Sequence, residues 1–288
     1  MNPTVKSSTM TLSDPRSVSQ GHISHWPRYG ARATSCVLSF GFLVLTALLA
    51  GCASGHQMMV GQGQSVHTFR ISYNNSHALV AGDRTILVDT GLEGDASKLL
   101  QRLEDAGITL PSIAAVIVTH GHADHAGGAA VLRRRTHATV YAGESEKALL
   151  SSGRNDQLCP TNARARNDLE EHQTSTYRGF EADVWISAQT SLKASTGINA
   201  HVVPLPGHTQ GSLVMVADEW AFVGDLFRGA IVGSSAETHF YMCDLDDNVA
   251  DIEWLLAQYP RVKTFLTGHF GPVSRESVVE LLEERRAR

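Results

Sequence analysis

Cysteine, charge and long apolar runs are all scarce in this chain of 288 residues. Four cysteines are too few for the disulfide framework of a small secreted scaffold. Charged residues make up 18% of the chain and sum to −5, so the basic surface that holds nucleic-acid phosphates is not expected. The longest apolar run, residues 37–50, is shorter than the ~20 residues of a membrane-spanning helix. With 42% hydrophobic residues, the chain can still bury a substantial core.

The beginning of the chain has the pattern of an export signal. Arg28 and Arg32 precede the apolar run, whose length lies in the roughly 7–15 residues typical of a secretory signal. The run ends in Leu49-Ala50-Gly51-Cys52, which resembles the lipobox of bacterial lipoproteins. That resemblance implies removal of residues 1–51 and lipidation of Cys52. An uncleaved anchor or a buried core helix is the alternative.

We therefore expect an exported protein held at the cell envelope by an N-terminal lipid, on the periplasmic face of the outer membrane in a Gram-negative organism. The mature chain would carry 12 histidines and a net charge of −8. Residues 52–66 are rich in Gly, Gln and Ser, which predicts a flexible tether. We expect residues 67–288 to form one domain. Cys159 and Cys243 could pair outside the cytosol, but the sequence leaves their geometry open.

Strand and helix signals alternate through residues 67–288 and predict a mixed α/β fold. The apolar run 113–118 is typical of a strand buried on both faces. Helices are predicted after Asp95 and at residues 251–258 and 274–286. The polar segment 144–197 has weak signals and predicts helices or a flap over one edge of the domain.

A cluster of metal-binding side chains follows the buried strand directly. It reads His120-x-His122-x-Asp124-His125. Imidazoles and carboxylates are good ligands for Zn²⁺ and related ions, and a short loop leaving a strand can aim several of them at one point. Four ligands within six residues crowd one tetrahedral ion, which indicates two ions. A polar surface turn that happens to be rich in histidine is the alternative.

The cluster resembles the signature of the metallo-β-lactamase-fold hydrolase superfamily, and the later elements of that signature follow in order. His208 lies in the segment 206–212 (PGHTQGS), Asp225 ends a strand, and His269 lies in the segment 267–272 (TGHFGP). Asp89, in Val88-Asp89-Thr90-Gly91, matches an aspartate that ends an early strand in the family. The resemblance implies a four-layer αβ/βα sandwich.

The resemblance also implies a role for each residue of the set. One metal ion would take His120, His122 and His208, the other would take Asp124, His125 and His269, and Asp225 would bridge them. Two zinc ions are implied, with Mn²⁺ or Fe²⁺ as alternatives. A hydroxide bridging the ions would attack an ester, thioester or lactone carbonyl, with Asp124 also orienting it. Asp89 would hold the ligand loop or a ligand imidazole, or else would only cap a turn.

The substrate is narrowed by departures from particular members of the family. Typical zinc β-lactamases have a cysteine or serine at or near the position of Asp225, so thioesterases, lactonases and phosphodiesterases are the better match. Only 19 residues follow His269, so the glutathione site of the glyoxalase-II type cannot be transferred. Lactonases often have a tyrosine three residues after the bridging aspartate, and Arg228 stands there. Arg228 would hold an anionic group of a small-molecule substrate or form a salt bridge, and His239 could reach the substrate.

Three other functions are left open. One is hydrolysis of β-lactams as a main or side activity. Another is a lipid-anchored metal-binding or adhesive protein without activity, which would have little need of a bridging carboxylate. The third is a mononuclear iron oxygenase that uses part of the ligand set. The complete set of seven ligands favours a dinuclear hydrolase, and the acidic mature chain disfavours a nucleic-acid substrate.

Overall fold

The computed structural model describes residues 55–287. Their strands are His56–Gly61 (β1), Gln64–Ile71 (β2), Asn74–Ala81 (β3), Arg84–Val88 (β4), Ile113–Ile117 (β5), Thr139–Gly143 (β6), Val184–Ile186 (β7), Thr190–Ser191 (β8), His201–Pro204 (β9), Leu213–Ala217 (β10), Trp220–Gly224 (β11), Arg228–Gly229 (β12), Ala236–Glu237 (β13), Thr264–Thr267 (β14) and Val273–Ser274 (β15). Their α-helices are Ala96–Asp105 (α1), Ala123–Ala126 (α2), Ala129–Thr136 (α3), Lys147–Ser152 (α4), Ala163–Asn167 (α5), Leu169–Gln173 (α6), Lys193–Thr196 (α7), Leu245–Gln258 (α8) and Arg275–Arg286 (α9).

The strands form two large sheets and a short ribbon. The first sheet has the order β1-β2-β3-β4-β5-β6-β7, and the second has the order β15-β14-β11-β10-β9-β8. Strands β4 to β7 run parallel to one another, as do β11 and β14, while the other pairs are antiparallel. The ribbon consists of β12 and β13. Parallel strands place their carboxyl ends at one edge of each sheet, where loops can converge.

Both faces of each large sheet are covered, which makes four layers. On β4, Ile86 and Val88 face the second sheet, whereas Leu87 faces helices α1 and α3, as the period of two requires. On the second sheet, Phe222 points to the shared core and Phe265 packs beneath α8 and α9. The order helix, sheet, sheet, helix confirms the predicted αβ/βα sandwich.

The predicted tether at residues 52–66 is wrong from residue 56 onward. There β1 pairs with β2 along its whole length, from His56 opposite Phe69 to Gly61 opposite Gln64. Gln62 and Gly63 both have positive φ, the conformation of a tight hairpin turn, and His56 stacks on Phe69 at 4.8 Å. The polar composition of this segment predicts no strand, but a strand at the edge of a sheet needs few apolar residues. The first sheet therefore begins at His56, while Cys52 and residues 1–51 lie outside the described residues.

The predicted helices are present with small changes in their bounds. Helix α9 begins directly after Ser274, whose side chain accepts a hydrogen bond from Ser277 N. Helix α8 begins at Leu245, six residues earlier than predicted, because Asp244 caps it by accepting from the amides of Asp246 and Asp247. Segment 144–197 forms helices α4 to α7 and strands β7 and β8. Across residues 55–287 there is no helix with both the length and the apolarity to span a bilayer.

Cys159 and Cys243 form a disulfide bond, which answers the question that the sequence left open. Their Cα atoms are 4.9 Å apart although the residues are 84 positions apart in the chain. The bond connects the segment between α4 and α5 to residues 238–244, which we call the strap. Two strap hydrogen bonds reinforce it, from Met242 N to Cys159 O at 2.8 Å and from Thr161 N to Phe240 O at 2.9 Å.

Replacing both cysteines by serine should lower the free energy of unfolding by about 2–4 kcal/mol, because a long loop in the unfolded chain is then no longer closed. Urea unfolding, followed by circular dichroism, measures the change. Reduced wild-type protein is the matched control and should unfold at the same urea concentration as the variant. Equal stability of the oxidised wild type and the variant would contradict the prediction.

Candidate metal centre

The candidate ligands come from strand ends and loops at one edge of the sandwich. His120 lies three residues after β5, Asp225 directly follows β11, and His269 lies two residues after β14. His208 stands in the loop between β9 and β10. Gly268 precedes His269, and a Cβ atom there would collide with Asp225 and His125, so only glycine lets these side chains meet. The fold thus brings residues that are up to 149 positions apart to one point.

Three imidazole nitrogens form the first donor group. His122 Nδ1 lies 3.1 Å from His120 Nε2 and 3.2 Å from His208 Nε2. Asp225 Oδ2 lies 3.8 Å from both His120 Nε2 and His208 Nε2. His120 and His122 are buried, and the three nitrogens point inward together.

The second donor group lies on the other side of Asp225. His269 Nε2 is 3.3 Å from Asp124 Oδ2, and His125 Nε2 is 3.7 Å from that same oxygen. Both imidazole nitrogens lie 3.3 Å from Asp225 Oδ2. One oxygen of Asp225 therefore stands between the two groups.

Asp89 orients ligands of both groups. Its Oδ2 accepts hydrogen bonds from His125 Nδ1 and from the Thr119 hydroxyl, each at 2.8 Å, and its Oδ1 accepts from Thr119 N at 2.8 Å. Because the Thr119 hydroxyl donates its only proton to Asp89, it accepts from His120 Nδ1 at 3.0 Å. Both histidines then carry their proton on Nδ1 and present the lone pair of Nε2 to the centre.

His122 and His269 are each oriented by a hydrogen bond at the ring nitrogen that faces away from the centre. His122 Nε2 donates to Asp156 Oδ1 at 2.7 Å, which leaves the lone pair of Nδ1 for the centre. His269 Nδ1 donates to the backbone carbonyl of Tyr73 at 2.9 Å, which leaves Nε2 free to bind. An imidazole held by a carboxylate or carbonyl at its outer nitrogen is the usual arrangement of a metal-bound histidine in proteins.

The donor atoms fit divalent cations. Two donors that bind one ion with bonds of ~2.1 Å, at angles of about 90–110°, lie roughly 3.0–3.4 Å apart, which matches the distances within the first group. Lone pairs facing one another at such distances repel unless a cation lies among them. The buried atoms His125 Nε2 and Asp225 Oδ1 have no hydrogen-bond partner among residues 55–287. The residues of both groups therefore could hold metal ions.

Glu146 connects the two loops that carry the first donor group. It is fully buried, and its Oε2 accepts from Gly121 N at 2.6 Å. Its Oε1 accepts from the Thr209 hydroxyl and from Gly211 N, each at 2.8 Å. Burial raises the pKa of Glu146, although these hydrogen bonds oppose the shift. Nothing in the sequence pattern indicates this role for Glu146, because a glutamate after a short strand usually lies on the surface.

The pKa of each imidazole at the centre depends on two opposing effects. Burial lowers it, and neighbouring carboxylates raise it. Burial and neighbouring imidazoles hold the pKa of His120 and of His208 well below its ordinary value. Burial also opposes a charge on His125 and His269, but carboxylates, Asp225 above all, raise the pKa of His125 well above its ordinary value and that of His269 to about 10. Since a metal ion binds neutral imidazole, its entry must release protons.

The two residues suggested as substrate contacts have different surroundings. Arg228 is buried, pairs with Glu237 and lies over the ring of Phe240 at 4.1 Å, so the structure favours the salt-bridge alternative. His239 is buried in the centre itself, with Nε2 3.0 Å from Asp225 Oδ2. His239 also lines the pocket beside the centre, so its suggested contact with a substrate stays a prediction.

A pocket opens from the second donor group to the surface. Its walls are mostly apolar and include Leu158, Phe240 and Phe270. His172 also lines it, stacks against Tyr73, and bonds to a tyrosine hydroxyl through Nδ1 at 2.9 Å. Sequence reasoning assigned His172 no role, because an isolated histidine in a polar segment carries no motif.

Asp89→Asn should weaken metal binding by about 10–100-fold, because an amide NH₂ at the Oδ2 position cannot accept from His125 Nδ1. Asparagine tolerates the positive φ of 58° at this position, so the backbone should stay in place. Titration against a chromophoric chelator measures the affinity. Asp83→Asn, in the exposed turn between β3 and β4, is the matched control, and equal affinities for the two variants would contradict the role of Asp89.

Comparison with known proteins agrees with this geometry. The family model described as the metallo-beta-lactamase superfamily matches residues 70–269. A hydroxyacylglutathione hydrolase of Haemophilus influenzae is 27% identical over 187 residues, which cover 64% of this chain and 78% of that protein. The hydroxyacylglutathione hydrolase of Dechloromonas aromatica is 33% identical over 155 residues, which cover 54% of this chain but only 44% of that enzyme.

Among solved structures, a metallo-beta-lactamase from Pontibacter korlensis superposes with a TM-score of 0.57. It is 19% identical, and the match covers 81% of this chain and all of that one. At this identity the likeness concerns the fold alone. The family match over more than half of the chain, together with the convergent histidines and aspartates, leads to one assignment: the chain belongs to the metallo-beta-lactamase superfamily of metal-binding hydrolases.

Proposed function

We propose that this protein is a dinuclear zinc hydrolase that cleaves a thioester, ester or lactone of a small molecule. The observation that carries the proposal is the position of Asp225 Oδ2 between two donor groups, 3.3 Å from two nitrogens of one group and 3.8 Å from two nitrogens of the other. One carboxylate shared in this way suits a pair of cations better than a single one.

Zinc suits the donors, since imidazole and carboxylate in four-coordinate or five-coordinate sites are typical of it. His120, His122 and His208 would hold one ion, and Asp124, His125 and His269 would hold the other. Two divalent cations there would lower the pKa of a water molecule and polarise a carbonyl oxygen. Asp225 would set their spacing and offset part of their charge.

The chain itself would supply the orientation of the substrate. Asp124 lines the pocket, so its carboxylate can accept a hydrogen bond from the attacking water. Phe240, Phe270 and Leu158 form apolar walls that exclude bulk water and fit an apolar acyl group. Arg164 and Asp168 line the same pocket and offer polar contacts to the rest of the substrate.

Hydrolysis of a thioester, ester or lactone is supported by the similar proteins and by Asp225 as the bridging residue. The similar proteins of Haemophilus influenzae and Dechloromonas aromatica are hydroxyacylglutathione hydrolases, and that activity cleaves a thioester. The pocket of this chain is largely apolar, which does not suit a leaving group as polar as glutathione. We therefore propose that this chain shares with those relatives the cleavage of a thioester bond, and that its leaving group is a different thiol or alcohol.

Export and lipid anchoring form the second part of the proposal. The Cys159–Cys243 disulfide supports it, because such bonds persist in oxidising compartments and are rare in the cytosol. The lipobox cysteine, Cys52, lies outside the described residues. We propose that the enzyme works at the cell envelope on small molecules that pass through it.

Purified protein supplied with zinc should hydrolyse at least one member of a panel of thioesters, esters and lactones. Asp124→Asn and His208→Ala should lower kcat/KM by about 10²–10³-fold or more, because each removes a group that stabilises charge in the transition state. His137→Asn is the control, since His137 is exposed and its positive φ of 59° suits asparagine.

Metal analysis and two further substrates complete the test. Two zinc ions per chain agree with the proposal, whereas one iron per chain would favour an oxygenase. Nitrocefin and a carbapenem belong in the panel, and turnover of these alone would replace the proposal with β-lactam hydrolysis. A chain that binds two zinc ions but cleaves none of the thioesters, esters and lactones would refute the substrate class.

Cys52→Ser should abolish incorporation of radiolabelled palmitate in a bacterial host and move the protein from the membrane fraction to the soluble fraction. The reason is that the thioether to the lipid can form only on cysteine. Cys36→Ser, earlier in the same segment, is the matched control and should label normally. Labelling of the Cys52→Ser variant would contradict lipidation at this residue.

A further inference from the structure

An eighth side chain of a metal-binding type lies at the centre, in addition to the seven of the family signature. His239 lies in the strap and is 3% exposed. Its Nε2 is 3.0 Å from Asp225 Oδ2 and shares a compact group of donor atoms with His208 and Asp225.

The Nε2 atom of His239 lies close to Asp225 Oδ2 but forms no hydrogen bond with it. The buried atom lies 3.0 Å from Asp225 Oδ2 and has no hydrogen-bond partner among the described residues. A buried polar atom in that state costs free energy unless something else binds it. Two donors 3.0 Å apart fit one cation with bonds of ~2.1 Å at about a right angle.

The other ring nitrogen of His239 is held by the backbone. Nδ1 accepts a hydrogen bond from Tyr241 N at 3.2 Å and lies 3.1 Å from the carbonyl oxygen of the same residue. A cation that takes the lone pair of Nε2 would require the ring proton on Nδ1, where the Tyr241 carbonyl can accept it, as the Tyr73 carbonyl accepts from His269 Nδ1. The opposite tautomer would present an N–H group and act as a proton donor.

The ring is also fixed in place by its neighbours. It stacks on His269 at 5.3 Å and meets the edge of His208 at 5.0 Å. The backbone carbonyl of His239 accepts from the Thr161 hydroxyl at 2.8 Å, and the disulfide holds the strap four residues later, at Cys243. A ligand held this firmly needs little reordering when a cation binds.

We propose that His239 is an additional protein ligand of the cation that binds beside His208 and Asp225. This ligand makes one of the two positions richer in imidazole than the seven-residue set does. That cation would then be held more tightly than in the absence of His239. The inference depends on metal binding alone and is independent of the substrate class.

Metal binding by His239→Asn, with His137→Asn as the matched control, tests the proposal. Titration with Co²⁺ reports the number of sites, their affinity and their visible absorption bands, and a chromophoric chelator gives the zinc affinity. We expect one of the two sites to weaken by about 10–100-fold and its absorption bands to change. Unchanged affinity and superimposable spectra would overturn the proposal, even with lost activity, and would leave His239 as a proton donor.

A second variant distinguishes loss of the His239 ligand from a change in the conformation of the strap. His239→Ala opens a space beside the pocket that His239 lines, so added imidazole should restore the spectrum and the affinity. Failure of imidazole to change either one, in a folded protein with its disulfide intact, would also overturn the proposal. Because no substrate is used, a failed hydrolysis panel and a failed ligand test give different results.

Discussion

The structure depends on one buried carboxylate oxygen. Asp225 is 3% exposed, and its Oδ2 has five imidazole nitrogens within 3.0 to 3.8 Å. Taking a carboxylate out of water costs several kcal/mol unless positive charge replaces the lost hydration. Asp225 accordingly raises the pKa of His125 and of His269, and bound cations would stabilise the same charge. The segments that carry these five histidines therefore meet around the charge of one side chain.

The sheets explain how so many loops reach that oxygen. Parallel pairing of β4 with β5, and of β11 with β14, aligns the carboxyl ends of strands in both sheets at one edge. The interior of each sheet is apolar and rigid, so the strand ends are fixed. The polar residues stand just beyond those ends, where backbone groups such as Thr119 N and the Tyr73 carbonyl are available to orient them.

The fold and the seven-residue set could be predicted from sequence because strand periodicity and ligand spacing are local signals. His120, Asp124 and His125 stand together in the chain, and the rest follow in a recognisable order. The hairpin at β1 was missed because its pairing, not its composition, makes it a strand. Glu146 and the contact of His239 with Asp225 were missed because each depends on loops that meet only in three dimensions.

The hydrogen bonds of Glu146 bear on the order in which the protein is assembled. Its carboxylate joins the His120 loop to the His208 loop through protein groups alone. The two loops are thus in place before any ion arrives, unlike those of small zinc domains, which collapse only around the metal. A chain built in this way can fold without its ions and acquire them afterwards.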